Sequence, residues 1–392
     1  MNSNLICLNK NNTFNTIKWT FLFSLFTFFF GCKEKNTKKS EVEINPNGAT
    51  TTQIAKEEKI LLEGKPEGVE VPEGMVWIPG ATFTQGAVPH DKMAMGHEKP
   101  AHKVSVNGFF MDITEVTNAQ FQKFVDKTGY VTIAERTIEW ADMKKQLPEG
   151  TPKPHDSILQ PGSLIFKKQK NGVANLFDFS QWWEWRIGAD WRHPNGPGSS
   201  IQGKDDSPVV HIAYEDAKSY CAWAGRRLPT EAEWELAAKG NKENTIYFWG
   251  DDDNELSKRG NTWEGEFPVS NAKIDGYEGC APVRSYPPND FGLYDMAGNV
   301  WEWTDDWYNS KYYQEVTLGK KVLVDPTGAD IPFNKDNPYA KEKVIKGGSF
   351  LCNASYCASY RISARMATSL DSSLEHLGFR TVATVGMVQK EE

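Results

Sequence analysis

The stretch from Ile138 to Ser207 is rich in Gly, Pro and Trp and carries neither a helical nor a strand period. A structureless loop of that length is uncommon inside a compact domain, so the segment is read as functional or as a packed insertion. Around it the chain does declare elements. Gly74-Met75-Val76-Trp77-Ile78-Pro79-Gly80 alternates as a strand that ends in a turn. A helix is expected over Ala119–Val125, with Thr117 or Asn118 as its N-cap, and a second over Tyr214–Ala224. A third runs from Thr230 to Ala238, where Thr230-Glu231-Ala232-Glu233 after Pro229 has the form of a capping box. Internal repeats, a P-loop, a dinucleotide fingerprint and a G-x-S-x-G elbow are all missing from the sequence.

Composition narrows the function classes. With 39% hydrophobic and 24% charged residues the chain is globular, and a net charge of −8 argues against nucleic acid. Fourteen Trp and an aromatic share of 12% suit a large core or a binding groove. Residues 1–32 read as a signal peptide. Lys10 and Lys18 precede the apolar run Trp19–Phe30, which is too short for a comfortable membrane span. Gly31-Cys32 followed by Lys33-Glu34-Lys35 resembles a bacterial lipobox, with Phe29 where an aliphatic residue is usual. Cys32 would then be lipidated and anchor an exported envelope or periplasmic lipoprotein. An ordinary cleaved signal and an uncleaved anchor are the other readings. Residues 33–70, rich in Lys, Glu, Asn and Thr, read as a flexible linker, and the folded body is placed at 71–386.

Near the C-terminus, Gly347-Gly348-Ser349 precedes Cys352 and Cys357 in C-x4-C spacing. Two close thiols can form a disulfide, act as a redox pair, or hold a soft metal ion as thiolates. In an exported chain the disulfide is the commonest of these.

Leu228-Pro229-Thr230-Glu231-Ala232-Glu233-Trp234-Glu235, then Asn299-Val300-Trp301-Glu302-Trp303, then Lys346-Gly347-Gly348-Ser349 resemble, in this order, the formylglycine-generating (sulfatase-modifying factor) family. Trp191–Pro197 and Leu377-Gly378-Phe379-Arg380 extend the resemblance over most of the body. It implies an α+β, C-type-lectin-like single domain with little regular secondary structure. It also implies that Cys352 and Cys357 bind one Cu(I) in near-linear geometry, flanked by the catalytic Ser349 and Tyr356. The implied reaction oxidises a cysteine in an unfolded sulfatase-type polypeptide, read as Cys-x-Pro-x-Arg, to Cα-formylglycine with O2. Asn353, often His in the family, would lie on the substrate side; Arg361 and Arg365 match family arginines near the pair, each read either as a substrate contact or as a structural salt bridge. Two structural Ca2+ sites are implied, one from Asn261, Thr262, Asp275 and Tyr277, the other from Asp295, Gly298, Val300 and Glu302. The family disulfide at Cys221 is absent, since its partner position is Thr381, and a Cys221–Cys280 bond stays open. A monomer is expected. The alternative function is a non-catalytic binding or scaffold lipoprotein on the same fold, with Cys352 and Cys357 as a stable disulfide. Iron-dependent sulfoxide synthases with related domains need a further histidine-bearing domain for which the chain has no room.

Overall fold

The computed structural model describes residues 61–389 apart from 177 and 320. The signal, Cys32 and the linker up to residue 60 lie outside the described residues. The end of the expected linker, 61–70, belongs to the packed body. The Leu62 amide donates to Asn107 Oδ1 at 2.8 Å, and its carbonyl accepts from Gly80 and Gly108. Val69 is buried with Met75, Phe110 and Ala383. A polar segment still orders where a few apolar residues find a groove, which an averaged composition conceals. Among the described residues no helix is long and apolar enough to cross a membrane.

The three expected helices form, each with a physical start. In α1 (Asn118–Thr128), Thr117 Oγ1 accepts from the Gln120 amide while the Gln120 side chain accepts from the Thr117 amide. Gly129, at φ 67°, ends it. α2 (Tyr214–Trp223) packs against α1, with Phe121 and Tyr220 stacked. α3 (Glu231–Lys239) begins at the Thr230–Glu233 capping box, and all its residues are buried.

The described strands are β1 (Met75–Ile78), β2 (Ala81–Gln85), β3 (His102–Val106), β4 (Phe109–Asp112), β5 (Gly162–Phe166) and β6 (Trp183–Ile187). They continue as β7 (Trp301–Trp307), β8 (Leu323–Val324), β9 (Glu342–Lys346), β10 (Met366–Ser369), β11 (Leu377–Gly378) and β12 (Val382–Ala383). They make small sheets ordered β1-β4-β12, β10-β9-β7-β11, β2-β3-β8 and β5-β6. α3 touches β2, β3, β7 and β9, so one buried helix joins two sheets. The irregular 138–207 stretch is a packed insertion: its β5–β6 hairpin bridges to the 373–376 loop through Leu164 and Leu374.

Such short ladders leave much of the chain to be held by side chains. Three buried arginines do so, each bidentate. Arg361 grips Glu98 at 2.8 and 2.8 Å and also Asp91. Arg365 grips Glu231 at 2.7 and 2.9 Å, and Arg380 grips Glu302 at 2.7 and 2.7 Å. Burial alone would raise the Glu98 carboxyl; the Arg361 guanidinium outweighs it and holds the group below its usual range. Arg380→Ala would leave Glu302 charged and buried without its partner. It is expected to cost about 3–5 kcal/mol in urea unfolding, and a loss below about 1 kcal/mol would refute this role for the pair.

Candidate active site

Two glycines set the geometry of the thiol loop. After β9, Gly347 (φ 89°) and Gly348 (φ 73°) turn the chain back on itself. A Cβ on Gly348 would lie 2.8 Å from the Ser359 carbonyl carbon and 2.9 Å from the Tyr360 nitrogen. The outgoing and returning limbs are therefore in backbone contact. Between them the Asn353 carbonyl accepts from the amides of Tyr356, Cys357 and Ala358. The Asn353 side chain is fully committed. Oδ1 accepts from the Ser355 amide (2.9 Å) and hydroxyl (2.6 Å), and Nδ2 donates to the carbonyls of Trp263 (2.8 Å) and Gly265 (3.2 Å). It is a staple for the loop, not a free substrate contact.

Cys352 and Cys357 are both free and both buried, with 2% and 8% of their surface exposed. They are not joined as a disulfide. The thiols hydrogen-bond each other, and Cys352 Sγ accepts from the Ser349 amide at 3.4 Å and from the Ser359 amide. Cys357 Sγ accepts from the amides of Ser359 and Asn353 and from the Ser359 hydroxyl. Burial drives the Cys352 thiol up, reinforced by its neighbour. Burial acts against Cys357 as well, but the Cys352 thiol and the converging N–H groups outweigh it and hold Cys357 below the usual thiol range. The pair thus favours one thiolate beside one thiol. Two facing sulfurs among N–H donors form a soft donor set and fit a soft, low-charge metal ion. Among the described residues no His, Cys, Asp or Glu completes a group of three with them.

An aromatic wall stands beside the sulfurs. Tyr356 stacks on Phe267, with centroids 4.8 Å apart at 2°, and meets Trp182 edge-on at 5.6 Å. Trp263, Phe350 and Leu351 complete the cluster, and Phe166 and Trp183 of the insertion pack on it. The insertion therefore walls the site. A surface hollow of about 510 Å³ beside Trp307 and Tyr339 includes none of these residues, so the site is assigned on chemistry and not on cavity size.

Sequence reasoning missed His376 and Ser359. Ser349 Oγ lies 2.8 Å from His376 Nδ1, a hydrogen bond whose donor is set by the imidazole tautomer, and accepts from the Leu351 amide at 3.3 Å. Burial pushes His376 down to about 3, which keeps the imidazole neutral. His376 directly precedes the Leu377–Arg380 motif, the one signal that pointed near it.

The salt-bridge reading of Arg361 and Arg365 holds, and, besides Asn353, the expectation for Glu302 is corrected. Arg361 and Arg365, each 1% exposed, spend their guanidiniums on Glu98, Asp91 and Glu231, which leaves none for a substrate. Glu302 accepts from Arg380 at both oxygens and from Trp234 Nε1 at 2.8 Å, so its carboxylate serves an ion pair where a calcium ligand was expected. The first calcium set does come together. Asp275 accepts from the amides of Thr262 (2.9 Å) and Tyr277 (3.0 Å), and the buried Asn261 Oδ1 has no partner among the described residues. In the second set, Asp295 Oδ1 is likewise buried and unpartnered. Gly298 is pressed so close to Asn261 that a Cβ would lie 2.1 Å from the Asn261 carbonyl oxygen, so the two loops abut. These orphaned hard oxygens fit a calcium-class cation. Cys221 and Cys280 are both free.

Comparison with known proteins agrees with this geometry. A family model described as a sulfatase-modifying factor enzyme 1-like domain matches residues 63–385. The formylglycine-generating enzyme of Mus musculus is 42% identical over 313 residues, covering 79% of this chain and 74% of that protein. The enzyme of that name from Thermomonospora curvata is 41% identical over 318 residues, covering 80% and 94%. The solved structure of PvdO from Pseudomonas aeruginosa aligns with a TM-score of 0.53 at 21% identity, covering 82% of this chain and 99% of that one, a likeness of fold alone.

The buried imidazole makes a pH prediction. In the unfolded chain His376 takes up a proton near 6.5, but in the folded chain only near 3. The penalty is absent well above pH 6.5, grows as pH falls through it, and levels off below about 3. At pH 5 it amounts to about 2 kcal/mol. Thermal melts from pH 7.5 to 4.5 are expected to decline less steeply in His376→Asn. An identical decline would show that His376 is not buried neutral.

Proposed function

The chain belongs to the sulfatase-modifying factor family of formylglycine-generating enzymes, and from that premise we propose that it oxidises a cysteine of a sulfatase-type polypeptide to Cα-formylglycine at Cys352 and Cys357. The observation that carries the reading is the pair of free, buried, facing thiols in a nest of N–H donors. The overall change is balanced. The client thiol, O2, two electrons and two protons from an external thiol reductant give a thioaldehyde and two waters. Water then replaces sulfur to give the aldehyde and hydrogen sulfide.

A Cu(I) ion held by the two sulfurs would supply a soft site for the client thiolate and a means of passing electrons to O2. The chain's own residues do the rest. The amides of Ser349, Ser359 and Asn353 stabilise negative charge on the sulfurs. Tyr356, Trp182 and Phe267 pack against one another and exclude water beside the sulfurs. Ser349, held by its hydrogen bond to His376, places a hydroxyl next to the pair. Calcium ions, one at Asn261, Thr262, Asp275 and Tyr277 and one around Asp295, Gly298 and Val300, would brace loops without long ladders. Anchoring through a lipidated Cys32 would place this chemistry at a membrane surface of the cell envelope.

The test is mass spectrometry of a Cys-x-Pro-x-Arg peptide incubated with the protein, Cu(I), a thiol reductant and air. The expected product is an aldehyde at the cysteine. Cys352→Ser and Cys357→Ser are each expected to slow it by more than the roughly 10–100-fold typical of losing a merely supporting group. An unchanged peptide with an intact Cys352–Cys357 disulfide would refute the enzyme reading in favour of a scaffold.

A further inference from the structure

We infer that the outer edge of β6, in the insertion that walls the thiol site, is a rail on which the client polypeptide lies as an added strand, through residues that flank its Cys-x-Pro-x-Arg segment. The inference rests on the client reading proposed above and extends it to the chain beyond that segment.

The β5–β6 ladder decides which way each backbone group points. The Lys167 amide donates to the Trp182 carbonyl and the Gly188 amide to the Pro161 carbonyl, so these are hydrogen-bonded rungs. Alternation along an antiparallel pair then makes Ile165–Glu184 and Ser163–Arg186 the bonded rungs between them. Trp183 and Trp185 fall on the intervening rungs, with N–H and C=O turned away from β5. No group among the described residues meets them there. The far edge of β5 is occupied, because the Leu164 amide donates to the Ser373 carbonyl at 3.4 Å and its carbonyl accepts from the Glu375 amide at 3.2 Å. The open edge of this small sheet is therefore that of β6. It stops at Ile187, where a Cβ on Gly196 would lie 3.6 Å from the carbonyl oxygen.

An open edge is usually blunted by Lys, Pro or a bulge. That of β6 is dressed for contact. Trp183, Trp185 and Ile187 share one face of the strand, and Trp185 and Ile187 are 37% and 46% exposed. Glu184 and Arg186, on the other face, pair with each other at 2.8 Å. The rail also leads to the chemistry. At its near end Trp183 meets His376 with ring centroids 4.9 Å apart, and His376 holds Ser349, whose amide caps Cys352. A client whose cysteine reaches the thiols thus has its neighbouring residues beside β6. An unfolded client carries unpaired N–H and C=O groups along an extended backbone, the complement of this edge. β6 spans about 16 Å, room for about five client residues. Main-chain pairing is indifferent to the client's side chains, so it adds affinity without narrowing the sequence read at the cysteine.

The experiment measures, by fluorescence anisotropy with the full-length protein, the binding of client peptides in which Ser replaces the reacting Cys, so neither copper nor turnover is needed. The peptides carry the Cys-x-Pro-x-Arg core alone or with about six further residues on one side or the other, a length set by the strand. One extended peptide is expected to bind about 10-fold more tightly than the core, the gain of about two main-chain hydrogen bonds. N-methylation along the extension is expected to remove that gain at alternate residues only. Trp185→Pro deletes an outward N–H that the β5 ladder does not use, and is expected to bring the extended peptide down to core affinity with core binding unchanged. Trp185→Val keeps the N–H and is expected to keep most of the gain. Equal affinity for the core and both extended peptides, or a gain that survives Trp185→Pro, would overturn the rail. If Trp185→Pro does not fold, the methylation pattern decides, and a gain indifferent to it overturns the rail. A gain with the alternating pattern but no aldehyde in the mass-spectrometric test would sink the enzyme reading and leave the rail standing as a peptide-binding edge.

Discussion

Bidentate pairing between buried arginines and carboxylates is the constraint on which this body depends. Its described strands run from two to seven residues, too short for ladders to fix long loops. Arg361, Arg365 and Arg380 tie the segment after the thiols to Glu98, to Glu231 on α3 and to Glu302 on β7. Desolvating such ions is costly, and their mutual attraction compensates only when the geometry is good. The short, two-pronged contacts meet that condition. What they add is uniqueness of position: a guanidinium fork fits a carboxylate in few ways, whereas an apolar contact tolerates many.

The thiol loop inherits this rigidity. Arg361 also holds the Ala358 carbonyl through Nε at 2.9 Å, directly after Cys357 and one residue before the Ser359 that caps both sulfurs. On the opposite limb, Lys346 is fully buried between Glu231 and Glu235 of α3 immediately before the double glycine. The N–H groups around the sulfurs are thus held by charges several residues away. That arrangement is preorganisation: the donors are in place before any ligand arrives and need not be recruited from water.

Much of this was legible in the sequence, for reasons that can be named. Helix starts are local, so Thr117 and Thr230 with their partners three residues on marked α1 and α3 directly. The glycines, the two cysteines and Tyr356 lie within one short stretch, and spacing alone brings them together. Arg361 and Arg365 stayed open between substrate contact and salt bridge because a sequence cannot show whether a guanidinium faces a cleft or a carboxylate; for Arg361 that carboxylate is 263 residues away. His376 was missed for the same reason: it acquires its role from a side chain outside its own motif, Ser349. Glu302 sat in the expected motif, but its neighbour Arg380 claimed it.

The sequence distances of these contacts bear on how the molecule assembles. Arg361 meets Glu98 across 263 residues, Arg380 reaches the Asp112 carbonyl across 268, and β12 pairs with β4. Few of the closing interactions are local, and contacts of such high order form late and slowly, since loop-closure entropy must be overcome first. The sulfur-capping amides of Ser359 and the arginines behind them depend on these long-range contacts for their final positions. A chain still folding would carry two cysteines without their hydrogen-bond shield, open to wrong partners. Maturation of this protein is accordingly a race between topological closure and thiol chemistry.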